Sequence, residues 1–251
     1  MRQETLEVRE FYEEYPCGGE EDAGDERGRL YPWWDRELRL DVATGSVLEV
    51  ACGAGLDLSR LAKSSETAVG IDLAQRPLTV ARERLHKQGS EALLSRAQAQ
   101  ALPFREATFE GVLCVGALHH MVEWEEAISE CSRVLKPGGA FTFLVYRRFA
   151  FQTLFFALGR VLRPVFARLL HGGGRVLRRK AAVAEFTIHP LVKFLPEEVW
   201  LRAARQVGLE IASVSRRDAW FPFDRLFPAL RHTSFADDSL GRFLIVRGRR
   251  V

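Results

Sequence analysis

Apolar runs of strand length alternate along the chain with segments of helical periodicity. Residues 46–51 form the first apolar run, which passes through a glycine-containing turn into residues 56–65, where leucines recur at helical spacing. Residues 67–73 and 91–97 predict a second and a third strand, separated by a helix over residues 76–89. Strands that alternate with helices in this way predict an α/β fold with a mainly parallel sheet.

The later part of the chain continues this alternation. The run at residues 111–115 is apolar throughout, which is typical of a strand buried on both faces. A helix is predicted over residues 125–135, and the KPGG turn that ends it precedes a fifth strand over residues 140–146. One more helix and two more strands are predicted far downstream, over residues 195–208, 209–215 and 241–248.

About fifty residues separate the fifth strand from the late helix, which is longer than an ordinary crossover. Residues 149–170 are apolar with interspersed arginines, and the apolar run is too short to span a bilayer. Two interpretations stay open: a helical lid that covers an apolar substrate, and an amphipathic segment that lies on a membrane surface. Residues 147–195 are therefore predicted to be a helical cap inserted into the fold.

Composition places the chain among ordinary folded proteins. Its 251 residues are 47% hydrophobic and 27% charged, which disfavours disordered, collagen-like and coiled-coil classes. The four cysteines lack the CxxC or Cys/His spacing of a zinc site, so no metal is predicted. Scattered cysteines and a charged N-terminus without an apolar signal stretch favour a cytoplasmic location.

The net charge of +3 conceals a strong asymmetry. Residues 1–146 carry 16 basic and 25 acidic side chains, whereas residues 147–251 carry 20 basic and 8 acidic ones. A basic half of this kind can bind an anionic partner such as nucleic acid or phospholipid. Its arginines are spread through helical and terminal segments, however, so nucleic-acid binding is not predicted.

The turn after the first strand carries the first sign of a ligand site. A strand that enters a helix through small residues brings backbone N–H groups and the positive end of the helix to one point. Here the turn reads EVACGAG, from Glu49 to Gly55. Asp72 ends the second strand, 17 residues after the last glycine, where a carboxylate can accept hydrogen bonds from both hydroxyls of a ribose. The pattern predicts a site for a nucleotide-like ligand.

From about Val47 to Val145 the chain resembles the class I S-adenosylmethionine-dependent methyltransferases, in particular the small-molecule group called methyltransferase type 11. The resemblance rests on five segments in order, LEVACGAG, VGIDLAQRPL, AQALPFREATFEGVLC, ALHHM and ECSRVLKPGG. The upstream FYEEYPCGG is similar to a leader found in one subset of these proteins. The resemblance implies a Rossmann-like seven-stranded, mostly parallel sheet with helices on both faces and an antiparallel last strand.

The resemblance also implies a division of the chain into four parts. Residues 1–45 would be a leader that lies over the cofactor, and residues 46–146 the core that binds S-adenosylmethionine. Residues 147–195 would be the helical cap, and residues 196–251 would complete the sheet.

Roles for individual cofactor-binding residues follow from the resemblance alone. Glu49 and the turn would hold the methionine part of S-adenosylmethionine, the turn contributing the backbone of Ala51, Cys52, Gly53 and Gly55. Asp72 would hold the ribose.

The same resemblance assigns residues to the adenine ring and to the transferable methyl group of the cofactor. Leu73 would pack on the adenine ring, and Gln98 and Ala99 would contact its amino group and ring nitrogen. Val115 and Gly116, at the end of the fourth strand, would lie beside the transferable methyl group.

Two positions depart from the family pattern. The first glycine of the GxGxG turn is Ala51 here, and its extra methyl group is tolerated without strain if its φ stays below zero. The aspartate that contacts adenine is replaced by Gln98, whose amide oxygen can still accept a hydrogen bond. S-adenosylmethionine therefore stays the expected cofactor.

Methyl transfer to a hydroxyl or amine needs positioning and often the removal of a proton. His119 and His120 follow the fourth strand, on the substrate side of the family's cleft, so at least one is predicted to face the cleft as a base. The resemblance favours His119, although a packing role for the pair stays open. Tyr146, at the end of the fifth strand, would orient the substrate or simply pack in the core.

Aromatic residues are frequent in the leader, which contains Tyr12, Tyr15, Trp33 and Trp34. Leaders of this kind often fold over the cofactor, where aromatic rings exclude water and attract a sulfonium cation. Anchoring of the leader on the rest of the fold explains the same residues equally well.

The sequence thus predicts an S-adenosylmethionine-dependent methyltransferase that acts at oxygen, nitrogen or carbon of a small hydrophobic metabolite. The aromatic residues of the insertion and of residues 221–230 favour an apolar acceptor over a protein or nucleic acid. An alternative keeps the fold but replaces methyl transfer by cyclisation or rearrangement, with the cofactor held non-covalently. A third possibility is a binding module that senses the cofactor or a membrane.

Overall fold

A computed structural model describes residues 2–16, 31–40, 45–148, 190–218, 237 and 241–251. The strands in these ranges are β1 (Ser46–Val50), β2 (Thr67–Asp72), β3 (Leu93–Arg96), β4 (Phe109–Val115), β5 (Leu135–Tyr146), β6 (Leu209–Arg217) and β7 (Phe243–Arg250). They form one sheet in the order β3-β2-β1-β4-β5-β7-β6. Strands β1 to β5 pair in parallel, whereas β7 is antiparallel to both β5 and β6. The predicted seven-stranded sheet with an antiparallel last strand is confirmed.

Helices cover both faces of this sheet, as predicted. The described residues form α1 (Gln3–Glu14), α2 (Trp34–Glu37), α3 (Leu56–Ala62), α4 (Gln75–Lys87), α5 (Trp124–Val134) and α6 (Glu197–Gln206). On one face, Leu58 of α3 and Leu85 of α4 share a buried cluster with Leu113 of β4. On the other face, Ile128 of α5 and Trp200 of α6 belong to the largest buried cluster. This three-layer arrangement is the usual one for a parallel sheet.

The central strand β4 illustrates how burial follows from the sequence. Its residues FEGVLCV are buried except for Glu110 and Val115, which are partly exposed. Neighbouring strands cover both of its edges and helices cover both of its faces, so a nearly continuous apolar run is required there.

The second part of the leader packs on the sheet. Trp33 and Trp34 lie in a buried cluster with Leu144 of β5 and Phe243 of β7. The ring centroids of Trp33 and Phe243 are 5.8 Å apart. This part of the leader is therefore anchored on the fold, which is one of the two interpretations of its aromatic residues.

Parts of the predicted organisation lie outside the described residues. These are most of the leader between α1 and α2, nearly all of the cap including residues 149–170, and the aromatic stretch at residues 221–230. In the ranges that the structure does describe, no helix is long and apolar enough to cross a membrane.

The parallel strands determine where a ligand site can form. Carboxyl ends of β1, β2, β4 and β5 lie at the same edge of the sheet, because these strands run in one direction. Chain order reverses between β1 and β4, since β2 follows on one side of β1 and β4 lies on the other. Connections that leave in opposite directions open a crevice at that point.

Candidate functional site

The turn from Ala51 to Gly55 links β1 to α3 and lies at this crevice. The backbone N–H of Cys52 donates to the carbonyl oxygen of Ile71 at 2.8 Å, which ties the turn to β2. Gly55 has a φ of 73°. A Cβ at Gly55 would lie 2.9 Å from the Cβ of Ala81 on α4, so a glycine is needed for the close approach of that helix.

The carboxylate of Asp72 fastens the turn to the end of β2. Its Oδ2 accepts a hydrogen bond from the N–H of Gly53 at 2.9 Å, and its Oδ1 accepts one from the N–H of Ala74 at 3.0 Å. The side chain is buried, and burial raises the pKa of Asp72 to about 6, although the backbone donors of Ala74, Gly53 and Leu73 act to lower it. Asp72 therefore combines a structural role with a raised proton affinity.

A cavity lies between this turn, the ends of β2 and β4, and helix α1. It contains about 800 Å³ of empty space, counted with the solvent at its mouth, which is in the range of small-ligand sites. Its polar side chains are Thr5, Tyr12, Asp72, Gln98, Gln100 and His120. The rest of its wall is largely apolar and includes Val8, Leu73, Val115 and Met121.

Most of the residues predicted to bind the cofactor lie on the wall of this cavity. Seven of the ten do so, namely Ala51, Gly53, Asp72, Leu73, Gln98, Ala99 and Val115, and Gly116 joins them. Residues that are distant in the chain, at or just after the ends of four different strands, are thus brought to one place.

The other three predicted cofactor residues are absent from the cavity wall. Glu49 is buried within β1, and Gly55 packs against α4. The Cys52 side chain points toward β2, because a Cβ at Gly70 would lie 2.9 Å from its sulfur. Burial raises the pKa of the Cys52 thiol well above its usual value, which suits a small apolar packing residue and not a nucleophile.

Ala51 adopts a conformation that the sequence did not predict. Its φ is 57°, in the left-handed region, so the condition that φ stays below zero is not met. The hydrogen bonds of the next two residues, from Cys52 to Ile71 and from Gly53 to Asp72, fix the path of the chain here. That path needs a left-handed residue at position 51, where L side chains are strained.

Glycine at position 51 is expected to stabilise the fold. Relief of the left-handed strain, about 1–2 kcal/mol, exceeds the extra backbone entropy of glycine, about 0.5–1 kcal/mol. We expect Ala51→Gly to raise the free energy of unfolding in urea by about 0.5–1 kcal/mol. Ala54→Gly in the same turn is the control and should lower it, because Ala54 has no positive φ. A lower free energy of unfolding in Ala51→Gly than in the wild type would contradict backbone strain at Ala51.

The histidines of the short 3-10 turn Leu118–His120 lie in different environments. His120 lines the cavity, and its Nδ1 is 2.8 Å from the carbonyl oxygen of Leu191. Because a carbonyl oxygen only accepts hydrogen bonds, Nδ1 carries a proton, and Nε2 is the acceptor of the neutral ring. His120 thus has a fixed ring orientation and a tautomer suited to taking a proton.

His119 and Tyr146 are core residues in this arrangement. His119 is 0% exposed, does not line the cavity, and has its ring centroid 3.9 Å from that of Tyr146. Tyr146 is also buried and stacks on Phe243, with the ring planes 28° apart. Of the three predicted catalytic residues, the structure brings only His120 to the cavity, so the preference for His119 is not supported by the geometry.

The C-terminal end of the predicted cap holds the histidine turn in place. Besides the contact of Leu191 with His120, the backbone N–H of Lys193 donates to the carbonyl oxygen of His119 at 2.8 Å. Lys193 Nζ donates to the carbonyl oxygen of Val122 at 2.7 Å. Residues 191–193 therefore fix the orientation of His120.

Helix α1 contributes a wall that the sequence revealed only in part. Thr5, Val8 and Tyr12 line the cavity at helical spacing, and the Tyr12 ring centroid is 6.3 Å from that of His120. The Thr5 hydroxyl is buried and has no hydrogen-bond partner among the described residues, as expected for a group that meets a ligand. Tyr15 of the leader is 45% exposed and lies off the wall.

Comparison with known families identifies a domain in the core of the fold. A model described as a methyltransferase domain matches residues 48–143. The chain is 29% identical over 221 residues to the ubiquinone biosynthesis O-methyltransferase of Azoarcus sp. (strain BH72), covering 80% of this chain and 87% of that protein.

Solved structures share the fold at low sequence identity. A Thermotoga maritima S-adenosylmethionine-dependent methyltransferase, described as a possible histamine N-methyltransferase, has a TM-score of 0.63 at 17% identity and covers 97% of this chain and 100% of its own. The [4+2]-cyclase SpnF has a TM-score of 0.60 at 19% identity and covers 97% of this chain and 94% of its own.

The methyltransferase domain begins in β1 and ends in β5, and so contains the turn, Asp72 and the histidine turn. The O-methyltransferase relative extends the similarity over most of the chain. The resemblance, the sheet order and these matches agree. Together they support a class I S-adenosylmethionine-dependent methyltransferase whose cofactor is S-adenosylmethionine.

Proposed function

We propose that this enzyme methylates a hydroxyl group of a small apolar acceptor, and that His120 removes the proton of that hydroxyl. The observation that carries the proposal is the position of His120, with a defined tautomer, on the wall of a mostly apolar cavity. The relative named as an O-methyltransferase of ubiquinone biosynthesis supports a hydroxyl acceptor.

The cofactor would occupy the part of the cavity nearest to Asp72. The N–H groups of Gly53 and Ala74 donate to different oxygens of this carboxylate, and a carboxylate offers about four acceptor positions, so acceptor capacity would remain for ribose hydroxyls. The turn would hold the methionine part, assisted by Glu49 beneath it. Adenine would lie among Leu73, Gln98 and Ala99, where the Gln98 side chain offers both a donor and an acceptor.

When bound, S-adenosylmethionine supplies an electrophilic methyl group on a positively charged sulfur. The chain's own residues would orient the acceptor, exclude water and take up the proton. Val115 and Met121 keep the neighbourhood of His120 apolar. Nε2 of His120 would accept the hydroxyl proton while the acceptor oxygen bonds to the methyl carbon and the carbon–sulfur bond breaks.

A cytoplasmic location forms part of the proposal. Cys52, Cys114 and Cys131 are buried free thiols. Burial also raises the pKa of Cys114 and Cys131, which keeps these thiols protonated. Such thiols are typical of proteins from a reducing compartment.

An acceptor panel tests the proposed reaction. The full chain is incubated with S-adenosylmethionine and phenols that carry apolar or charged substituents, and S-adenosylhomocysteine and methylated product are measured by mass spectrometry. We expect methyl ethers of the apolar phenols, with S-adenosylhomocysteine in equal amount. Conversion of an acceptor without release of S-adenosylhomocysteine would instead support the cyclase or rearrangement alternative.

Cofactor affinity is expected to fall on acidification. Asp72 must be ionised to accept hydrogen bonds from two hydroxyls. Its pKa of about 6 means that the carboxyl group changes from mainly ionised at pH 7 to mainly protonated at pH 5. We expect the dissociation constant of S-adenosylhomocysteine to rise about tenfold over this interval in calorimetry.

The same shift has the opposite effect on the empty fold. A carboxyl with a raised pKa binds its proton more tightly in the folded state, so acidification through pH 6 removes a destabilising charge at Asp72. Protonation of Asp72 therefore does not unfold the protein, and a loss of affinity on acidification cannot be attributed to such unfolding. An affinity that does not change between pH 7 and 5 would contradict the combination of a raised pKa of Asp72 and a role for its carboxylate in cofactor binding.

A further inference from the structure

The C-terminal end of α1 is clamped to the N-terminal end of α4. The Glu13 carboxylate accepts hydrogen bonds from the backbone N–H groups of Gln75, at 2.7 Å, and Arg76, at 2.8 Å. In the opposite direction, the Arg76 guanidinium donates to the carbonyl oxygens of Glu13, at 3.3 Å, and Glu14, at 3.2 Å. Each helix thus satisfies terminal backbone groups of the other.

Helix α4 depends on this clamp for its cap. Its own N-cap residue, Ala74, provides no side-chain acceptor. The first N–H groups of a helix have no partner inside the helix, and a carboxylate placed there is favoured by the helix dipole. Burial acts to raise the pKa of Glu13, but the bonds from Gln75 and Arg76 outweigh it and lower the pKa overall, so the clamp stays ionised at neutral pH.

The other end of α1 is held more weakly. Arg2 Nε lies 2.5 Å from Glu123 Oε1, and the Arg2 side chain is 63% exposed. Exposed ion pairs contribute little to stability. Between these two attachments, Thr5, Val8 and Tyr12 form the wall of the cavity. Helix α1 therefore lies along one side of the cavity, and the Glu13 clamp, although also exposed, attaches it through four hydrogen bonds, compared with the Arg2–Glu123 ion pair at the other end.

We propose that Glu13 is a positioning residue that holds α1 against the bound cofactor, so that opening of this clamp controls the release of S-adenosylhomocysteine. The inference rests on the proposed placement of the cofactor in this cavity. Glu13 is absent from the cavity wall and acts through α1. Because Thr5, Val8 and Tyr12 belong to one helix, their contacts with a ligand are lost together when α1 moves away.

Three variants of the full chain test the clamp itself. Glu13→Ala removes both acceptors, and Glu13→Gln keeps one acceptor oxygen without the charge. Glu10→Ala is the matched control, because Glu10 is an exposed carboxylate of the same helix. In the ligand-free protein, we expect amide hydrogen exchange of α1 and of Gln75 and Arg76 to rise about tenfold in Glu13→Ala, less in Glu13→Gln, and not in Glu10→Ala.

Stopped-flow displacement of S-adenosylhomocysteine tests the consequence. We expect its dissociation rate constant to rise about tenfold in Glu13→Ala and to stay unchanged in Glu10→Ala. Unchanged amide exchange in Glu13→Ala would overturn the clamp, and faster exchange with unchanged release would overturn its control of the cofactor. Failure of the wild type to bind S-adenosylhomocysteine would overturn the cofactor site and this proposal with it. The clamp itself would still be supported if amide exchange rose in Glu13→Ala and stayed unchanged in Glu10→Ala, so the two failures are distinguishable.

Discussion

Replacement of Asp72 by alanine is expected to raise the dissociation constant of S-adenosylhomocysteine at least a hundredfold at neutral pH. The variant loses the acceptor for two ribose hydroxyls, and hydrogen bonds to a charged group are each worth about 1.5–3 kcal/mol. It also leaves the N–H groups of Gly53 and Ala74 without their carboxylate partner, so the turn loses its attachment to β2. Isothermal titration calorimetry on the purified variant measures the effect.

A second buried carboxylate provides the control for Asp72. Asp57 on α3 accepts a hydrogen bond from Trp34 Nε1 at 2.9 Å and does not line the cavity. We expect Asp57→Asn to change the thermal unfolding midpoint but to leave the dissociation constant within about threefold. Wild-type affinity in a folded Asp72→Ala variant would mean that the cofactor binds elsewhere.

Replacement of His120 by alanine is expected to lower kcat by a factor of about 10² to 10³, the usual contribution of a positioned base. Affinity for S-adenosylhomocysteine should stay within about threefold, because the proposed role of the ring is to act on the acceptor and not on the cofactor. The loss should shrink as the pH approaches that of phenol ionisation, about 10, where the acceptor loses its proton without help. Initial rates over a range of pH, with a phenol identified in the acceptor panel, provide the measurement.

His119 is the natural control for this variant. Its ring is buried against Tyr146, so His119→Ala should lower the free energy of unfolding through loss of packing. The folded His119→Ala protein should keep kcat within about threefold of wild type. A larger loss of kcat in His119→Ala than in His120→Ala would restore the preference that the family resemblance favoured.

Strands in this protein could be located from the sequence because their environments are uniform. An apolar run such as β4 has one explanation, burial on both faces, whereas its partners in the sheet depend on contacts between distant residues. The seven-stranded sheet and its antiparallel last strand were therefore predicted from the resemblance. The start of β5 was predicted at Ala140 but lies at Leu135, because Leu135 already pairs with Phe109 before the register shifts. A KPGG sequence gives no sign of such an interrupted pairing.

The residues predicted for the site lie together mainly at the ends of parallel strands. Asp72 and Val115 meet there because strand direction alone determines which ends share an edge. Neighbouring residues of a 3-10 turn point in different directions, so the sequence could not separate His119 from His120. Thr5 and Val8 were missed, since their position depends on how α1 packs, although their helical spacing with Tyr12 was a usable signal.

The hydrogen bond between His120 and Leu191 makes the orientation of the histidine ring depend on one short stretch of the chain. The carbonyl oxygen of Leu191 is a hydrogen-bonding partner of this ring. Two residues later, the backbone N–H of Lys193 donates to the carbonyl oxygen of His119. The predicted cap, residues 147–195, includes these residues near its end. Sequence changes in the earlier part of the cap are therefore expected to leave the orientation of the proposed base unchanged, provided that the short stretch at 191–193 is retained.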